Sequence, residues 1–330
     1  MSNDNSIIKV RGLTKTFRLK KPEAGFFGSL KSVINPQYQK VEAVKNISFS
    51  VEEGELLAFI GPNGAGKSTT IKMLIGILYP SGGSLNILGF NPSRDRQQLA
   101  YHVGSVFGQK PQLWYHLPPI NTYELFSRIY ELDRQEYQSR LNYLVDAFEI
   151  KDLLDVPVRK MSLGQRMRCE IVASLLHRPK IVFLDEPTIG LDVIAKQHIR
   201  EVIRHLNEKE KVTIFLTSHD AGDVESLAKR TVVINHGQIM FDGSTESFKK
   251  SYIKSKIVEL VRDGDTSKFE FQGGKILSRS KYALKVELDT AASSIEKLLN
   301  YAVENFSIKD INIYEPEMEE IIAAIYREKF

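Results

Sequence analysis

Short, continuous apolar runs recur along the first three quarters of the chain and alternate with longer segments of mixed polarity. A run that is apolar at nearly every position is typical of a strand buried on both faces. Buried strands separated by helical segments favour an α/β fold built on a mostly parallel sheet. Strands are predicted at 7–10 (extending towards 17), 41–51, 56–60, 103–108, 180–186, 212–217 and 231–235, and helices at 69–78 and over most of 112–178.

The pattern changes near residue 250. A polar, basic stretch at 249–256 is interpreted as a linker, and the elements predicted after it are shorter and less apolar. We therefore expect two domains, 1–248 and 249–330, of which the second is a small α+β domain. Its predicted strands are 256–261, 268–271, 283–289 and 310–314, and its predicted helices are 292–306 and 318–329.

Composition narrows the functional classes. The 330 residues carry 45 Lys+Arg and 41 Asp+Glu, a net charge of +4 that is too small to indicate nucleic-acid binding. A single cysteine, Cys169, excludes an intrachain disulfide and fits a reducing compartment. No apolar run approaches the roughly 18 residues of a membrane span, and the polar N-terminal stretch is unlike a signal peptide. We expect a cytoplasmic protein that reaches a membrane only through a partner.

A glycine-rich turn lies between the apolar run 56–60 and the predicted helix 69–78, and it fits the pattern G-x-x-x-x-G-K-[ST]. The glycines let backbone N–H groups turn towards phosphate oxygens, and the positive end of the helix faces the same anion. Lys67 is predicted to reach the β- and γ-phosphates and Ser68 to ligate Mg²⁺. The alternative, a glycine-rich turn with a chance lysine, is disfavoured by the complete match in this context. The turn consists of Gly61, Pro62, Asn63, Gly64, Ala65, Gly66, Lys67 and Ser68.

Two carboxylates end the apolar run 180–186. A buried carboxylate needs a cation or hydrogen bonds, and a metal ion shared with Ser68 would satisfy Asp185. Glu186 could then orient and deprotonate the water that attacks the γ-phosphate. Two acids at a strand end are by themselves more often a cap than a catalytic pair. Their position downstream of the glycine-rich turn favours the catalytic interpretation.

Further motifs, in the same order along the chain, resemble those of ATP-binding cassette (ABC) ATPases over about residues 6–245. The stretch Met161-Ser162-Leu163-Gly164-Gln165 is similar to the family's signature motif, commonly L-S-G-G-Q. The other matches are Gln109 as the Q-loop glutamine, 189–192 ending in Asp192 as the D-loop, His219 as the switch histidine, and Phe17 as the aromatic that stacks on adenine. Packing alone could account for Phe17, and Tyr38 competes with it for the adenine.

The resemblance implies an ATPase of the P-loop NTPase fold that binds ATP and Mg²⁺. It implies catalytic roles for Glu186, His219 and Gln109, with Ser68, Gln109 and Asp185 holding the metal. Two copies would pack head to tail as a homodimer, each trapping ATP against the partner's signature motif. A separate integral-membrane permease would be bound through the helical region at about 112–178, at the cytoplasmic face of the membrane, without nucleic acid. The residues implied to hold nucleotide are Phe17, the turn 61–68, Thr69, Ser162, Gly164, Gln165 and Asp192.

The signature departs from its common form at two positions. Met161 replaces a leucine, a small change in shape. Leu163 replaces a glycine, which would strain the backbone if a positive φ were needed there. We expect instead an ordinary helix start, with Ser162 and the Gly164 N–H free to meet phosphate.

Two further segments indicate export. The insertion 18–40 combines aromatic residues with lysines, and 25–34 could form a short amphipathic helix suited to a membrane interface. The stretch 313–321 resembles the tail of drug- and antibiotic-exporter ATPases. A non-transport ABC protein remains an alternative, although no second cassette or long coiled coil is present. A GTPase or a kinase is a weaker alternative, because no N-K-x-D motif is found and a kinase needs no signature motif.

Overall fold

The computed structural model describes residues 5–20, 38–108, 110–252, 255–262, 269–280, 282–289 and 293–314, together with residues 318 and 322. The chain divides into two compact units, Met1–Gly243 and Ser244–Phe330. Several predicted segments lie outside the described residues, as does Gln109: these are 25–34, residues 315–317 and 319–321 of the tail, and the predicted helix 318–329 except for residues 318 and 322.

The centre of the first unit is a sheet of six strands in the order β5-β6-β7-β3-β8-β9. The pairs β5–β6, β6–β7, β7–β3 and β3–β8 are parallel. Strands β3 and β7 are buried at every position, as continuous apolar runs predict. The strands are β3 (Leu56–Ile60), β5 (Val103–Phe107), β6 (Ile181–Asp185), β7 (Thr213–Ser218), β8 (Arg230–Asn235) and β9 (Gln238–Ser244).

A second, antiparallel sheet of the same unit has the order β2-β1-β4, with β1 (Ser6–Lys20), β2 (Tyr38–Glu52) and β4 (Gly82–Ile87). The two sheets share one core. Phe49 of β2 stacks against Phe59 of β3 and Phe215 of β7, with ring centroids 5.6 and 6.0 Å apart. The sequence pattern did not predict β4 or β9.

Some helices cover the six-stranded sheet. Another group of helices lies between β5 and β6 in the sequence. Helix α1 begins at Lys67 and ends at Leu74, whereas the sequence predicted 69–78. It stops early because Gly76 has a left-handed φ of 75°. This position has no room for a side chain, since a Cβ would lie 2.4 Å from the Pro92 carbonyl oxygen. The helices are α1 (Lys67–Leu74), α2 (Arg96–Ala100), α3 (Pro119–Ile129), α4 (Arg134–Ala147), α5 (Leu163–Leu175), α6 (Val193–Glu208) and α7 (Ala221–Leu227), with two short 3-10 turns at Lys151–Leu153 and Val158–Lys160. Among the described residues, no helix combines the length and the apolar character that crossing a membrane requires.

The second unit is an antiparallel sheet in the order β11-β12-β10-β13, and the helix Ile295–Asn305 packs on its apolar face. Its core includes Val258, Leu260, Val286 and Leu298. The elements are α8 (Thr245–Tyr252), β10 (Ser255–Arg262), β11 (Gly274–Arg279), β12 (Ala283–Asp289), α9 (Ile295–Asn305) and β13 (Ile308–Tyr314).

Two predictions for this region are wrong. Most of the expected linker 249–256 is ordered in α8 and β10, because Phe248 is fully buried and Lys250 pairs with Glu246 one helical turn earlier. The described part of the predicted strand 268–271 is irregular, because Phe269 turns into the core against Tyr301 and Phe306. The strand between β10 and β12 is β11 instead, which was not predicted because most of its side chains are exposed.

Candidate nucleotide site

The glycine-rich turn leads from the carboxyl end of β3 into α1, at the edge of the parallel sheet where ligands commonly bind. Two of its glycines have no room for a side chain. A Cβ on Gly61 would lie 2.2 Å from the Ile234 carbonyl oxygen, and one on Gly66, which has a φ of 111°, would lie 2.6 Å from that of Ala43. The main chain is therefore free to face an anion at the N-terminus of α1.

Lys67 is the first residue of α1 and is only 4% exposed. Its Nζ donates to the Gly61 carbonyl oxygen at 2.6 Å and lies 3.2 Å from Glu186 Oε1. A buried ammonium group needs such partners. The lysine is thus held inside the turn with its charge directed towards the acidic end of β6.

Asp185, the last residue of β6, meets two hydroxyl groups. Ser68 Oγ donates to Asp185 Oδ1 at 3.1 Å, and Thr217 Oγ1 from β7 donates to the same oxygen at 2.6 Å. One carboxylate and one hydroxyl beside a phosphate-binding turn form the oxygen-only donor set that Mg²⁺ accepts while keeping several waters. The residues present therefore fit a magnesium ion held jointly with nucleotide phosphates.

Glu186 follows Asp185 in a constrained position. Its φ is 55°, in the left-handed region, and its backbone N–H donates to the Thr217 carbonyl oxygen at 3.1 Å. His219, which follows β7, places Nδ1 3.5 Å from Glu186 Oε1, and its side chain is 45% exposed. The glutamate carboxylate is thereby directed back over the glycine-rich turn.

Lys67, Ser68, Asp185 and Glu186 line a cavity of ≈ 290 Å³, whereas His219 and Thr217 are not among its lining residues. Its lining includes most of the residues predicted to bind phosphate and metal: Pro62, Asn63, Gly64, Gly66, Lys67, Ser68, Thr69, Asp185 and Glu186. Lys72, Phe107 and Lys110 also line it and were not predicted, although the spacing of Lys72 one helical turn after Ser68 was an available signal. Phe107 and Lys110 flank Gln109.

The signature residues form the start of α5. Ser162 Oγ accepts from the Gln165 N–H at 3.2 Å, and Gln165 Oε1 accepts from the Ser162 N–H at 2.9 Å, which is a capping box. Ser162 is therefore already engaged as an acceptor, contrary to the expectation that it is free, and keeps its hydroxyl hydrogen as a donor. Leu163 is the first helical residue and has no positive φ, which confirms the predicted helix start.

The signature also packs against the start of α6. A Cβ on Gly164 would lie 2.8 Å from Ala195 Cβ, so this position has no room for a larger residue. Asp192 caps α6 by accepting from the Ala195 N–H at 2.8 Å. Ser162, Gly164, Gln165 and Asp192 do not line the cavity around Lys67.

The two aromatic candidates for adenine lie on the β1–β2 pair. Phe17 is opposite Val41, and Lys15 Nζ lies 5.1 Å from the centre of its ring. Tyr38 is 57% exposed. Neither lines the cavity, so their competition stays open.

A buried network behind the site was not predicted. Asp223, fully buried on α7, accepts from Thr188 Oγ1 at 2.5 Å, Ser218 Oγ at 2.7 Å and Arg200 Nε at 2.8 Å. Burial alone would raise the pKa of nearby Asp220, but its contacts with Lys196 and Arg200 outweigh burial and lower it. The network ties the segment after β6 to the segment that carries His219.

Comparison with known proteins identifies the family and the fold. Residues 44–189 match the family model described as "ABC transporter". The chain is 32% identical over 211 residues to the ABC transporter ATP-binding protein NatA of Bacillus subtilis, covering 64% of this chain and 85% of NatA. It is 27% identical over 293 residues to the linearmycin resistance ATP-binding protein LnrL of the same organism, covering 87% of this chain and 93% of LnrL.

The fold is shared with a solved cassette, MJ0796, determined as a dimer in a post-hydrolysis state bound to ADP and Pi. The TM-score is 0.59 at 23% identity, over 72% of this chain and 98% of that one. Since NatA is matched over most of its length at this identity, the chain belongs to the ATP-binding proteins of the ABC transporters, a family of P-loop ATPases that bind and hydrolyse ATP.

Proposed function

We propose that Lys67, Glu186 and His219 have separate roles in ATP hydrolysis: Lys67 binds the γ-phosphate, Glu186 is the general base and His219 orients Glu186. The observation that carries the proposal is the position of Glu186 Oε1, 3.2 Å from Lys67 Nζ and 3.5 Å from His219 Nδ1. A carboxylate beside the cation that binds the γ-phosphate is placed to accept a proton from the attacking water. His219 is placed to orient Glu186 and to contact the γ-phosphate.

Lys67 and Glu186 depend on each other. While the two are paired, each compensates the charge of the other in a largely buried position. Nucleotide phosphates offer Lys67 stronger, multiply charged acceptors, so their binding would draw the ammonium group away from Glu186 and leave the carboxylate available as a base. We place Mg²⁺ at Ser68 and Asp185, with Gln109 as a further ligand, where it would neutralise phosphate charge.

The second half of the ATP site is assigned to a second copy of the chain. Val193 and Ile194, beside the Asp192 cap, are 83% and 72% exposed. Apolar side chains exposed to this extent next to the signature are suited to an interface. Ser162, Gly164 and Gln165 of one copy would then face the glycine-rich turn of the other, in a homodimer that closes on ATP and opens after hydrolysis. MJ0796 is described as dimeric.

The partner in the membrane is proposed to be a separate permease, which places the chain at the cytoplasmic face of the membrane. Trp114 and Tyr115 are 49% and 55% exposed, in the loop that leads from the nucleotide cavity to α3. Exposed aromatics of this kind are enriched where proteins bind partners. Gln109, a few residues before them, would link nucleotide to permease.

Export is the direction that we propose. LnrL is named as a resistance protein, and its similarity extends over 293 residues, into the part of the chain beyond the ATPase unit. The insertion 18–40 and the tail 313–321 indicate the same direction. We propose the functional division of the chain as 1–248 for the ATPase domain and 249–330 for an accessory domain.

The test uses the full chain in its native membranes. A tagged chain, solubilised in mild detergent, is expected to co-purify with a polytopic membrane protein, and changing Trp114 and Tyr115 to Ser is expected to reduce that association several-fold while the ATPase activity of the free chain stays near wild type. The purified chain should hydrolyse ATP with Mg²⁺ and lose that activity in EDTA. Undiminished association of the double variant would contradict the docking site, and activity in EDTA would contradict the metal.

A further inference from the structure

Glu170 is a buried carboxylate that the proposed reaction does not use. It lies on α5, about two turns after Ser162, and is 3% exposed. Burial raises the pKa of its carboxyl group, and hydrogen bonds from the main chain act against that rise. The charge of Arg166, one turn earlier on the same helix, also acts on it, but no lysine or arginine of the described residues lies at ion-pair distance. Such a group is costly to bury, so its hydrogen bonds call for an explanation.

Those hydrogen bonds come from the loop that leaves the nucleotide cavity. Glu170 Oε2 accepts from the Gln112 N–H at 2.9 Å, and Oε1 accepts from the Leu113 N–H at 3.3 Å. The Gln112 side chain in turn donates to the Ser105 carbonyl oxygen of β5 at 2.6 Å. One carboxylate therefore attaches the loop 110–113 to the signature helix, while the loop itself is anchored to the sheet.

The two ends of this connection are the two places that must respond to ATP. Upstream, Phe107 and Lys110 line the nucleotide cavity and are joined by a main-chain hydrogen bond of 3.0 Å. Downstream, the helix that carries Glu170 begins with the capping box of Ser162. A shift of the cavity wall would reach Gln112 directly, and a rigid helix would pass it on to its first turn.

We propose that Glu170 is a positioning residue that makes the loop 110–113 and the signature helix move as one body, so that ATP in one protomer's cavity sets the orientation of that protomer's own signature motif. A neutral side chain would hold the loop 110–113 less firmly than a carboxylate. Glutamine keeps one acceptor oxygen but turns an NH₂ group towards a backbone N–H, which removes at least one charge-assisted bond.

The loop contains its own reporter. Trp114, the single tryptophan of the chain, directly follows Leu113 and is half exposed. We therefore expect its emission to report a displacement of this loop. We expect ATP to change the emission of the wild-type chain. In Glu170→Gln the change should be lost, ATP turnover should fall about 3- to 10-fold, and the affinity for a fluorescent ATP analogue should stay within about 3-fold.

Tyr123→Phe is the matched control. Tyr123 OH donates to the Cys169 carbonyl oxygen at 2.9 Å, so this variant removes a buried hydrogen bond to the same helix, one residue from Glu170, without touching the loop. It should keep the emission change even if its melting temperature falls as far as that of Glu170→Gln. The inference rests on the cavity being the ATP site, which the analogue titration tests separately. A normal emission change in Glu170→Gln, loss of the change in both variants, or a wild-type emission that ignores ATP would overturn it.

Discussion

The two halves of the nucleotide site differ in how many of their contacts come from a single chain. In the phosphate half, Lys67, Asp185 and Glu186 come together beyond the carboxyl ends of β3 and β6, which lie on either side of β7, with their polar atoms about 3 Å from partners of the same chain. In the signature half, Ser162 is exposed, and its side chain hydrogen-bonds within its own capping box. The first half is organised before ligand arrives, whereas the second presents a helix start that needs an opposing surface. Substitutions in the first half should therefore impair chemistry or binding, and those in the second should impair assembly.

The largest effect is expected from Glu186→Gln. The amide keeps the size of the side chain but cannot accept a proton, so turnover should fall by about 10²- to 10⁴-fold while ATP still binds. Steady-state phosphate release measures the loss, and size-exclusion chromatography with ATP should show the dimer accumulating. Glu208→Gln, an exposed change at the end of α6, is the control. Turnover close to wild type would exclude Glu186 as the base.

Lys67→Ala should have a smaller effect, on binding. It removes the buried cation that faces the phosphates, a charge-assisted contact whose loss corresponds to about a 10- to 100-fold weaker affinity. Titration with a fluorescent ATP analogue measures it, with Lys229→Ala, an exposed lysine, as a charge-matched control. Equal affinity in the two variants would mean that the glycine-rich turn does not hold the phosphates.

Ser162 of the signature half has two roles, capping α5 and facing a phosphate of the opposing copy, and a substitution can separate them. Aspartate caps a helix as well as serine, so Ser162→Asp should leave the melting temperature nearly unchanged. Its negative charge would oppose a phosphate across the dimer, and turnover should fall about 10-fold. Ser294→Asp makes the same exchange at the cap of α9, where Ser294 Oγ accepts from the Lys297 N–H, and should not affect turnover. A fully active Ser162→Asp chain would limit Ser162 to capping.

The phosphate half could be predicted from sequence because each of its signals is contiguous. A glycine-rich turn or an acidic strand end is determined by neighbouring residues, and the parallel sheet then brings the ends of β3, β6 and β7 to one edge. Asp223 could not be predicted, since its three partners come from separate segments and an aspartate near a helix start usually reads as a surface cap. Glu170 was missed for the same reason, because only the fold shows that it is buried.

The second unit was predicted less well because its signals are weaker. Strand β11 has two neighbouring apolar side chains, the half-buried Ile276 and the exposed Leu277, so it shows no period-two alternation. The aromatic pair Phe269 and Phe271 looks like a strand by composition but packs on Tyr301 of α9 instead. Here tertiary packing overrides local propensity, as it often does for β-formers.

The left-handed backbone of Glu186 has a consequence for how this chain can vary. A residue with a side chain at a φ of 55° adds roughly 1–3 kcal/mol of strain. Glycine would relieve that strain, but it would also leave the buried Lys67 ammonium group without its carboxylate partner, which costs at least as much. The codon for Glu186 is therefore held by folding as well as by turnover. An effort to make this ATPase more robust should seek its gains elsewhere.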